Sequence, residues 1–302
     1  MLYTELRRYH ANYRNSKMEE NKNEECACVG IRTCLKCEMN HKSETLSQNQ
    51  RECKHYYYNH ATKSAELTTI TQNEINELPH FFEFPGVIVI NDFISHSEEI
   101  ALVNAIDGEI WKLSQSGRRK QDFGPKVNFK KQKCKIASFS GLPSYCKFAV
   151  DRLSSINGLN DFKTVELCNL EYSPERGSAI DPHFDDSWLW GERLVTLNLL
   201  SDSWLTMTWG GSSINWKNLP CIGMIDPTDI KVKIPLRARS LVVLHGPARH
   251  SWKHGILRED IKNRRVCCTF RELSFEFLNG NQRNQGCNLL KIANTFSGNV
   301  VI

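Results

Sequence analysis

The sequence predicts a mainly β fold of the jelly-roll or barrel kind, with flanking helices and a polar N-terminal segment. Beyond residue 160 the chain reads as short apolar strands separated by turn residues, with no long helix between them. Many short strands in this order are typical of a barrel or a double-sheet jelly roll. The expected strands cover 164–172, 193–200, 203–209, 230–236, 240–246, 248–256 and 264–273.

The N-terminal quarter differs in character from the rest of the chain. Residues 1–80 are polar and lack sustained periodicity, and 1–24 are expected to be disordered or loosely helical. Compact apolar runs begin at residue 81, so the predicted folded domain is 81–302. Helices are expected after Ser95, which has capping-box spacing to Glu98, and over 288–296 near the C-terminus.

Composition excludes several classes of protein. The 302 residues contain no run of eighteen apolar residues, so no membrane association is expected. The N-terminus lacks the apolar core of a secretory signal, and the 12 cysteines are therefore expected to be thiols or metal ligands. The net charge of +5 permits an acidic partner without requiring one.

A His-x-Asp triplet, His183 and Asp185, stands at a turn before the strand at 193–200. Such a triplet alone is compatible with a metal site or with a polar loop. A second histidine could come from 248–256, where strand alternation puts His250 and His254 on one face. His254, at the strand end, is the preferred partner; for His250 a half-buried histidine bonded to backbone is the simpler interpretation.

Arg265 and Arg271 are six residues apart and share one face of the last strand with Cys267 and Thr269. A solvated outer face would explain two arginines equally well. Two histidines and Asp185 match a facial triad, which holds Fe(II) on one side and leaves three positions open. An arginine shortly after them matches the anchor for a carboxylate co-substrate. 2-Oxoglutarate and O₂ would fill those positions, while arginine binds the far carboxylate in bidentate fashion.

At this point the sequence resembles the AlkB-type Fe(II)/2-oxoglutarate-dependent dioxygenases, and more narrowly the AlkB homologue 4 subfamily. The resemblance implies a double-stranded β-helix core, oxidative N-demethylation, and a metal on His183, Asp185 and His254. The segments that carry it are 30–38, 111–133, 168–201, 234–244 and 248–273.

The resemblance also implies the residues that bind 2-oxoglutarate. Arg265 matches the arginine that pairs with the distal carboxylate, and Arg271 matches the one near the metal-bound end. Asn169 and Tyr172 correspond to the family's Asn-x-Tyr motif, although "NLEY" is one residue longer. Asp186 matches no ligand and is expected to cap the following turn or to bond a metal ligand.

Residues 111–133 match the region that the family uses as a substrate-covering lid. Basic and aromatic side chains suit a phosphate backbone with stacked bases, and they also suit an acidic protein surface. A solvated hairpin is the plain alternative. The lid residues expected to contact substrate are Arg118, Arg119, Lys120, Phe123, Lys126 and Phe129.

Four cysteines, Cys26, Cys28, Cys34 and Cys37, lie within twelve residues. Such density predicts a bound metal, and a thiolate quartet favours structural zinc. The Cys-x-Cys half is tighter than usual, which leaves an iron–sulfur cluster or redox thiols open. Cys53 with His55 could replace one ligand.

The substrate is implied by the resemblance alone. It indicates demethylation of monomethyl-lysine in actin, tied to actomyosin and cytokinesis, and of N6-methyladenine in DNA, in the cytoplasm and the nucleus. Two alternatives stay open. One is a dedicated nucleic-acid demethylase or repair enzyme, and the other is a non-catalytic jelly-roll module that docks a partner.

Overall fold

The computed structural model describes residues 26–28, 34–40, 53–67, 80–211 and 227–301. The predicted disordered or loosely helical stretch, 1–24, lies outside them. The described chain is mainly β, with largely antiparallel sheets and six helices, which confirms the predicted class. No helix within these ranges is both long and apolar enough to cross a membrane.

Sixteen strands and six helices follow one another along the described residues. The strands are β1 (Lys54–Asn59), β2 (Ser64–Leu67), β3 (Phe81–Glu83), β4 (Val87–Ile90), β5 (Lys112–Leu113), β6 (Arg119–Phe123), β7 (Lys126–Asn128), β8 (Lys133–Lys135), β9 (Glu166–Tyr172), β10 (Ile180–His183), β11 (Trp190–Leu199), β12 (Ser203–Trp209), β13 (Ile230–Leu236), β14 (Leu241–Leu244), β15 (Trp252–Ile256) and β16 (Arg265–Leu273). The helices are α1 (Leu35–Asn40), α2 (His96–Asp107), α3 (Lys147–Leu153), α4 (Gly246–His250), α5 (Phe275–Leu278) and α6 (Arg283–Ala293).

Two seven-stranded sheets form the jelly roll. The first sheet has the order β10-β15-β12-β13-β1-β2-β3, and the second has the order β4-β14-β11-β16-β9-β6-β5. Apolar side chains of both sheets belong to one buried cluster, for example Met207 and Val232 of the first with Val242 and Leu244 of the second. Strand alternation sends every second side chain into this interior.

Helices cover the opposite face of the second sheet. α2 begins at Ser95, whose hydroxyl accepts from the Glu98 amide while the Glu98 carboxylate accepts from the Ser95 amide, so the predicted capping box is present. Leu102 and Ile106 of this helix pack in a second core with Val266 of β16 and other outward-facing residues of that sheet. The last strand therefore buries both of its faces, which explains its apolar composition.

The predicted strand over 248–256 is in part a helix. Residues 246–250 form α4, with Pro247 in its first turn, where a missing N–H costs no hydrogen bond. Only Trp252–Ile256 is extended. His250 consequently leaves the face of His254 and bonds the Glu192 carboxylate at 2.7 Å.

The first sheet begins earlier in the chain than residue 81. β1 runs parallel to β13, and β2 continues the sheet by pairing with β1 and β3. The polar character of residues 1–80 instead predicts that residues 54–67 belong to the N-terminal segment. Their burial comes from tyrosines such as Tyr56 and Tyr58, whose rings pack in the interior between the sheets.

Candidate active site

A cavity opens between the two sheets. Its walls are largely aliphatic, and its polar groups are concentrated on β10, β15 and β16 and on the turn after β10. A concave, mostly apolar site with a few convergent polar groups is typical of a small-molecule pocket. The lining residues that can bind a metal or a charged co-substrate are His183, Asp185, His254, Tyr172, Arg265 and Arg271.

The structure brings His183, Asp185 and His254 together. β10 pairs with β15 so that His183 lies directly opposite His254, and their ring centroids are 4.5 Å apart. Asp185 follows in the turn, with its Oδ1 atom 3.6 Å from Nε2 of His183. One ligand atom from each residue lies within 4.8 Å of the others, as a shared metal ion requires.

Each of the two histidines offers one ring nitrogen to the shared metal position. The Nδ1 atom of His183 lies 2.8 Å from the backbone carbonyl of Asp181, so this nitrogen carries the proton and leaves Nε2 free as a ligand. Burial lowers the pKa of His254 to about 3, although the Asp185 charge acts in the opposite direction. His254 is therefore neutral at physiological pH, as a metal ligand must be.

Arg271 controls the charge of Asp185. Its Nε–H donates to Oδ2 of Asp185 at 2.7 Å, and its Nη1–H donates to Glu166 at 2.6 Å. Burial alone would raise the pKa of Asp185, but the Arg271 guanidinium and the hydrogen bond with His183 hold it well below its usual range. Asp185 is thus an anion oriented for coordination.

Arg249 is a site residue that the sequence did not predict. Its guanidinium is buried, and its Nη1–H donates to the backbone carbonyl of Asp185 at 2.9 Å. Since this arginine sits in α4, which was predicted as a strand, its approach to the metal-ligand turn left no signal in the sequence. Desolvation lowers the pKa of Arg249, while the charge of Asp185 opposes that shift.

Arg265 is buried on the cavity wall with part of its guanidinium unpaired. Its Nε–H donates to Oδ1 of Asn198 at 2.6 Å, and its Cζ lies 4.9 Å from the centroid of the Tyr172 ring. Its Nη1 atom is buried without a hydrogen-bond partner. A buried guanidinium nitrogen without a partner fits an incoming carboxylate. Asn198 was also missed from the sequence.

Asn169 and Tyr172, the residues of "NLEY" predicted to bind 2-oxoglutarate, lie on opposite faces of β9. Tyr172 lines the cavity, and so does Leu170 two positions before it. The amide of Asn169 points to the other face of the strand, where its Nδ2 donates to Gln121 and to the Tyr145 hydroxyl. Strand alternation makes this unavoidable, because residues three apart face opposite ways. Asn169 therefore does not line the cavity in which 2-oxoglutarate is predicted to bind.

The first half of the predicted lid belongs to the second sheet. Residues 119–123 form β6, which pairs with β9. Phe123 is buried in the outer core against the Tyr145 ring, so it is a core residue and does not have the exposure that the lid prediction requires. Arg119 lies beside Glu171 and Lys120 is paired with Asp122 at 2.7 Å.

Arg118 also departs from the lid prediction. Its side chain is buried, and its Nε–H donates to the backbone carbonyl of Gln115.

The second half of the segment is different, since β7 and β8 form a separate hairpin. Lys126 on this hairpin is exposed, and the Phe129 side chain at its turn is 50% exposed. Of the six predicted lid residues, these two are the exposed ones, while Arg119 and Lys120 are half-buried.

Asp186 lies one residue beyond the metal-ligand cluster. Its backbone carbonyl accepts from the amides of Leu189 and Trp190, closing the turn that leads into β11. The predicted capping of this turn is therefore performed by the Asp186 main chain.

Comparison with known proteins identifies relatives along nearly the whole chain, although no protein-family model matches it. The human alpha-ketoglutarate-dependent dioxygenase alkB homolog 4 is 47% identical over 292 residues, which cover 92% of this chain and 96% of the relative. A DNA N6-methyl adenine demethylase of Caenorhabditis elegans is 33% identical, covering 89% and 94%. A solved structure of OsALKBH1 covers 62% of this chain and 98% of its own at 12% identity, with a TM-score of 0.42.

These relatives and the cavity define a 2-oxoglutarate-dependent dioxygenase, alpha-ketoglutarate being the same compound. This family implies Fe(II) and 2-oxoglutarate. The donor set fits them, because two imidazoles and one carboxylate suit Fe(II), and the unpaired nitrogen of Arg265 suits a carboxylate. The chain belongs to the AlkB family, in which its extended similarity is to homolog 4.

Proposed function

We propose that this chain is an oxidative N-demethylase that depends on Fe(II) and 2-oxoglutarate. The observation that carries the proposal is the His183, Asp185 and His254 cluster, which shares one cavity with the partly unpaired guanidinium of Arg265. Fe(II), when bound, supplies the activation of O₂ that oxidises a methyl C–H bond while 2-oxoglutarate becomes succinate and CO₂.

The residues of this chain bind and orient the reactants. Arg265 would hold one carboxylate of 2-oxoglutarate through Nη1, with Asn198 keeping the guanidinium in place. Arg271 and Arg249 hold the Asp185 carboxylate and main chain, respectively. The aliphatic cavity walls keep bulk water from the reactants. An N-methyl group that is hydroxylated at its carbon then leaves as formaldehyde, and the nitrogen keeps a hydrogen in its place.

Monomethyl-lysine in actin is the substrate that we place first. A dedicated nucleic-acid enzyme needs many cations that are free to meet phosphates. Arg119 and Lys120 of the predicted lid instead have carboxylates beside them, and the net charge is only +5. The exposed lysines of the β7–β8 hairpin suit an acidic protein such as actin through electrostatic steering.

N6-methyladenine in DNA is the second candidate. It is favoured by the nematode relative, which is named a DNA N6-methyl adenine demethylase. The exposed ring of Phe129 beside the hairpin lysines is also compatible with base stacking.

Either substrate would be met in the cytoplasm and the nucleus, where we propose that the enzyme works. The zinc predicted at the four N-terminal cysteines has no part in this reaction and is a separate proposal.

The deciding experiment measures formaldehyde and succinate from monomethylated actin and from N6-methylated DNA under identical conditions. We expect turnover of the actin substrate, and none with Asp185→Ala. Turnover of the DNA alone would reverse the order of substrates and favour a dedicated nucleic-acid demethylase. If loaded protein forms no succinate with either substrate but still binds one of them, the non-catalytic docking module is the better description.

A further inference from the structure

The four N-terminal cysteines converge on one point. One Sγ atom from each of Cys26, Cys28, Cys34 and Cys37 lies within 4.8 Å of every other. The Sγ atoms of Cys26 and Cys37 are 3.0 Å apart, and those of Cys34 and Cys37 are 3.6 Å apart. In a tetrahedral zinc site with Zn–S bonds of about 2.3 Å, neighbouring sulfurs are separated by about 3.8 Å. The spacing is thus close to that of a tetrathiolate.

A backbone N–H of the jelly-roll domain donates to this cluster. The amide of Ser116, in the turn formed by residues 114–118, donates to Sγ of Cys28 at 3.3 Å. Amide hydrogen bonds to sulfur stabilise the thiolate form that binds metal. The turn therefore supplies outer support to the cluster from 88 residues away in sequence.

The segment that carries the cysteines is attached to the barrel at two further points. The Glu38 carboxylate receives two hydrogen bonds of 2.8 Å from Arg258. Leu35, at the start of α1, packs on Gly177, where an added Cβ would lie 2.5 Å from its Cγ. Gly177 also has a φ of +62°, so that both its backbone conformation and its contact favour glycine.

The turn at 114–118 connects the cysteines to the active-site frame. The Ser116 carbonyl accepts from the Ala179 amide, and the Gly117 carbonyl accepts from the Ser178 hydroxyl and from Nε of Arg176. Residues 173–179 join β9, which ends at the cavity residue Tyr172, to β10, which ends at His183. Support for this loop is thus support for two strands that line the site.

We propose that Cys26, Cys28, Cys34 and Cys37 bind one structural zinc ion, which braces the turn at 114–118 and, through it, the loop at 173–179. Four thiolates close the coordination sphere, so this zinc has no open position for substrate. Zinc binding releases the thiol protons and contributes its free energy to the order of the segment. The proposal is independent of which methylated substrate the enzyme uses.

The first test is the metal content of the full chain, prepared untagged under reducing conditions and analysed by plasma mass spectrometry. We expect about one zinc per chain, in addition to any iron. The Cys28→Ser and Cys34→Ser variants are expected to lose it, whereas Cys287→Ser, which removes an exposed thiol on α6, keeps it. Wild-type protein without zinc would overturn the proposal even if the variants fail to fold.

Other outcomes overturn it as clearly. Iron with acid-labile sulfide at these cysteines would show an iron–sulfur cluster in place of zinc. A Cys26–Cys37 disulfide that persists under reducing conditions would exclude a tetrathiolate. Zinc that survives in both serine variants would place the ion elsewhere.

The bracing role is tested by hydrogen–deuterium exchange on wild-type chain before and after zinc removal with a thiol-specific release reagent and chelator. The amides of Ser116 and Ala179 should exchange faster after removal, because their acceptors are Cys28 and the braced turn. Amides of the paired strands β11 and β16 serve as the internal control and should not change. Unchanged exchange at Ser116 and Ala179 would refute the brace.

Discussion

The Nε–H of Arg265 donates a 2.6 Å hydrogen bond to Oδ1 of Asn198, in the interior between the two sheets. The amide nitrogen of Asn198 in turn donates to the backbone carbonyls of Leu236 and Arg237 at 3.0 Å. Asn198 is therefore held in one orientation and can only accept from Arg265 through its oxygen. One edge of the guanidinium is fixed, while Nη1 stays available to a carboxylate.

Replacing Arg265 with alanine should weaken 2-oxoglutarate binding selectively. Loss of a charge-assisted contact to a carboxylate costs about 1.5–3 kcal/mol, and about 1.4 kcal/mol is a factor of ten in affinity. Arg265→Ala is expected to raise the KM for 2-oxoglutarate at least about tenfold, with little change in Fe(II) affinity. The KM is measured from the rate of succinate formation at a series of 2-oxoglutarate concentrations.

The matched control for this variant is the neighbouring arginine. Arg264 points away from the cavity and pairs with Asp107 and Glu171. Arg264→Ala should leave the KM for 2-oxoglutarate near the wild-type value. If Arg265→Ala behaves in the same way as this control, the anchor is Arg271 or another residue.

Asp185 and Asp186 provide a comparison of adjacent carboxylates. Asp185→Ala removes one of three metal-ligand groups and should abolish succinate production, together with tight Fe(II) binding. Asp186→Ala should retain both, because Asp186 closes its turn through the main chain. Fe(II) titration under anaerobic conditions and succinate assays test the pair. Normal Fe(II) binding by Asp185→Ala would remove it from the ligand set.

Arg249 is expected to act as a positioning residue for the metal ligand. Arg249→Met keeps much of the side-chain volume but removes the hydrogen bond to the Asp185 carbonyl. Loss of such outer support typically weakens metal binding about 10- to 100-fold. We expect a rise in the Fe(II) dissociation constant in that range and an unchanged KM for 2-oxoglutarate at saturating Fe(II). The exposed Arg237→Met is the control, and equal Fe(II) affinities for the two variants would exclude the role.

Acid should weaken the contact between α2 and α3. Hydrogen bonds from Arg152 and from the Ser95 amide lower the pKa of Glu98 to about 2. A carboxyl group with a depressed folded-state pKa stabilises the fold above its unfolded pKa of about 4.3, and this contribution disappears as the pH falls towards 2.

Glu98→Gln isolates the charge, because glutamine can still accept from the Ser95 amide. The variant should have a lower Tm than the wild type at pH 6, with the difference shrinking as the pH falls from 4 to 3. Calorimetric scans across this range measure the effect, and high salt should reduce it because both side chains are partly exposed. A Tm difference independent of pH would show that the charge contributes nothing.

Local patterns determined most of the fold. β12 and β13 occupy the same residues that the alternation of apolar side chains predicted, and α2 begins at the predicted Ser95 cap. The same alternation placed Arg265, Cys267, Thr269 and Arg271 on one face of β16, which is the face that lines the cavity. These features follow from interactions between residues close in sequence, so the sequence is sufficient to reveal them.

Tertiary structure decided what depends on partners distant in the chain. Phe123 became a core residue because β6 pairs with β9, and the same pairing gives the Asn169 amide its partner Gln121. The contact of Arg249 with Asp185 spans 64 residues, and that of Arg265 with Asn198 spans 67. Such contacts are set by sheet order and helix placement, for which no local sequence period carries a signal. The sequence by itself determined the ligand types and the strands that carry them; only the folded chain decided which charges face the cavity and which are already neutralised.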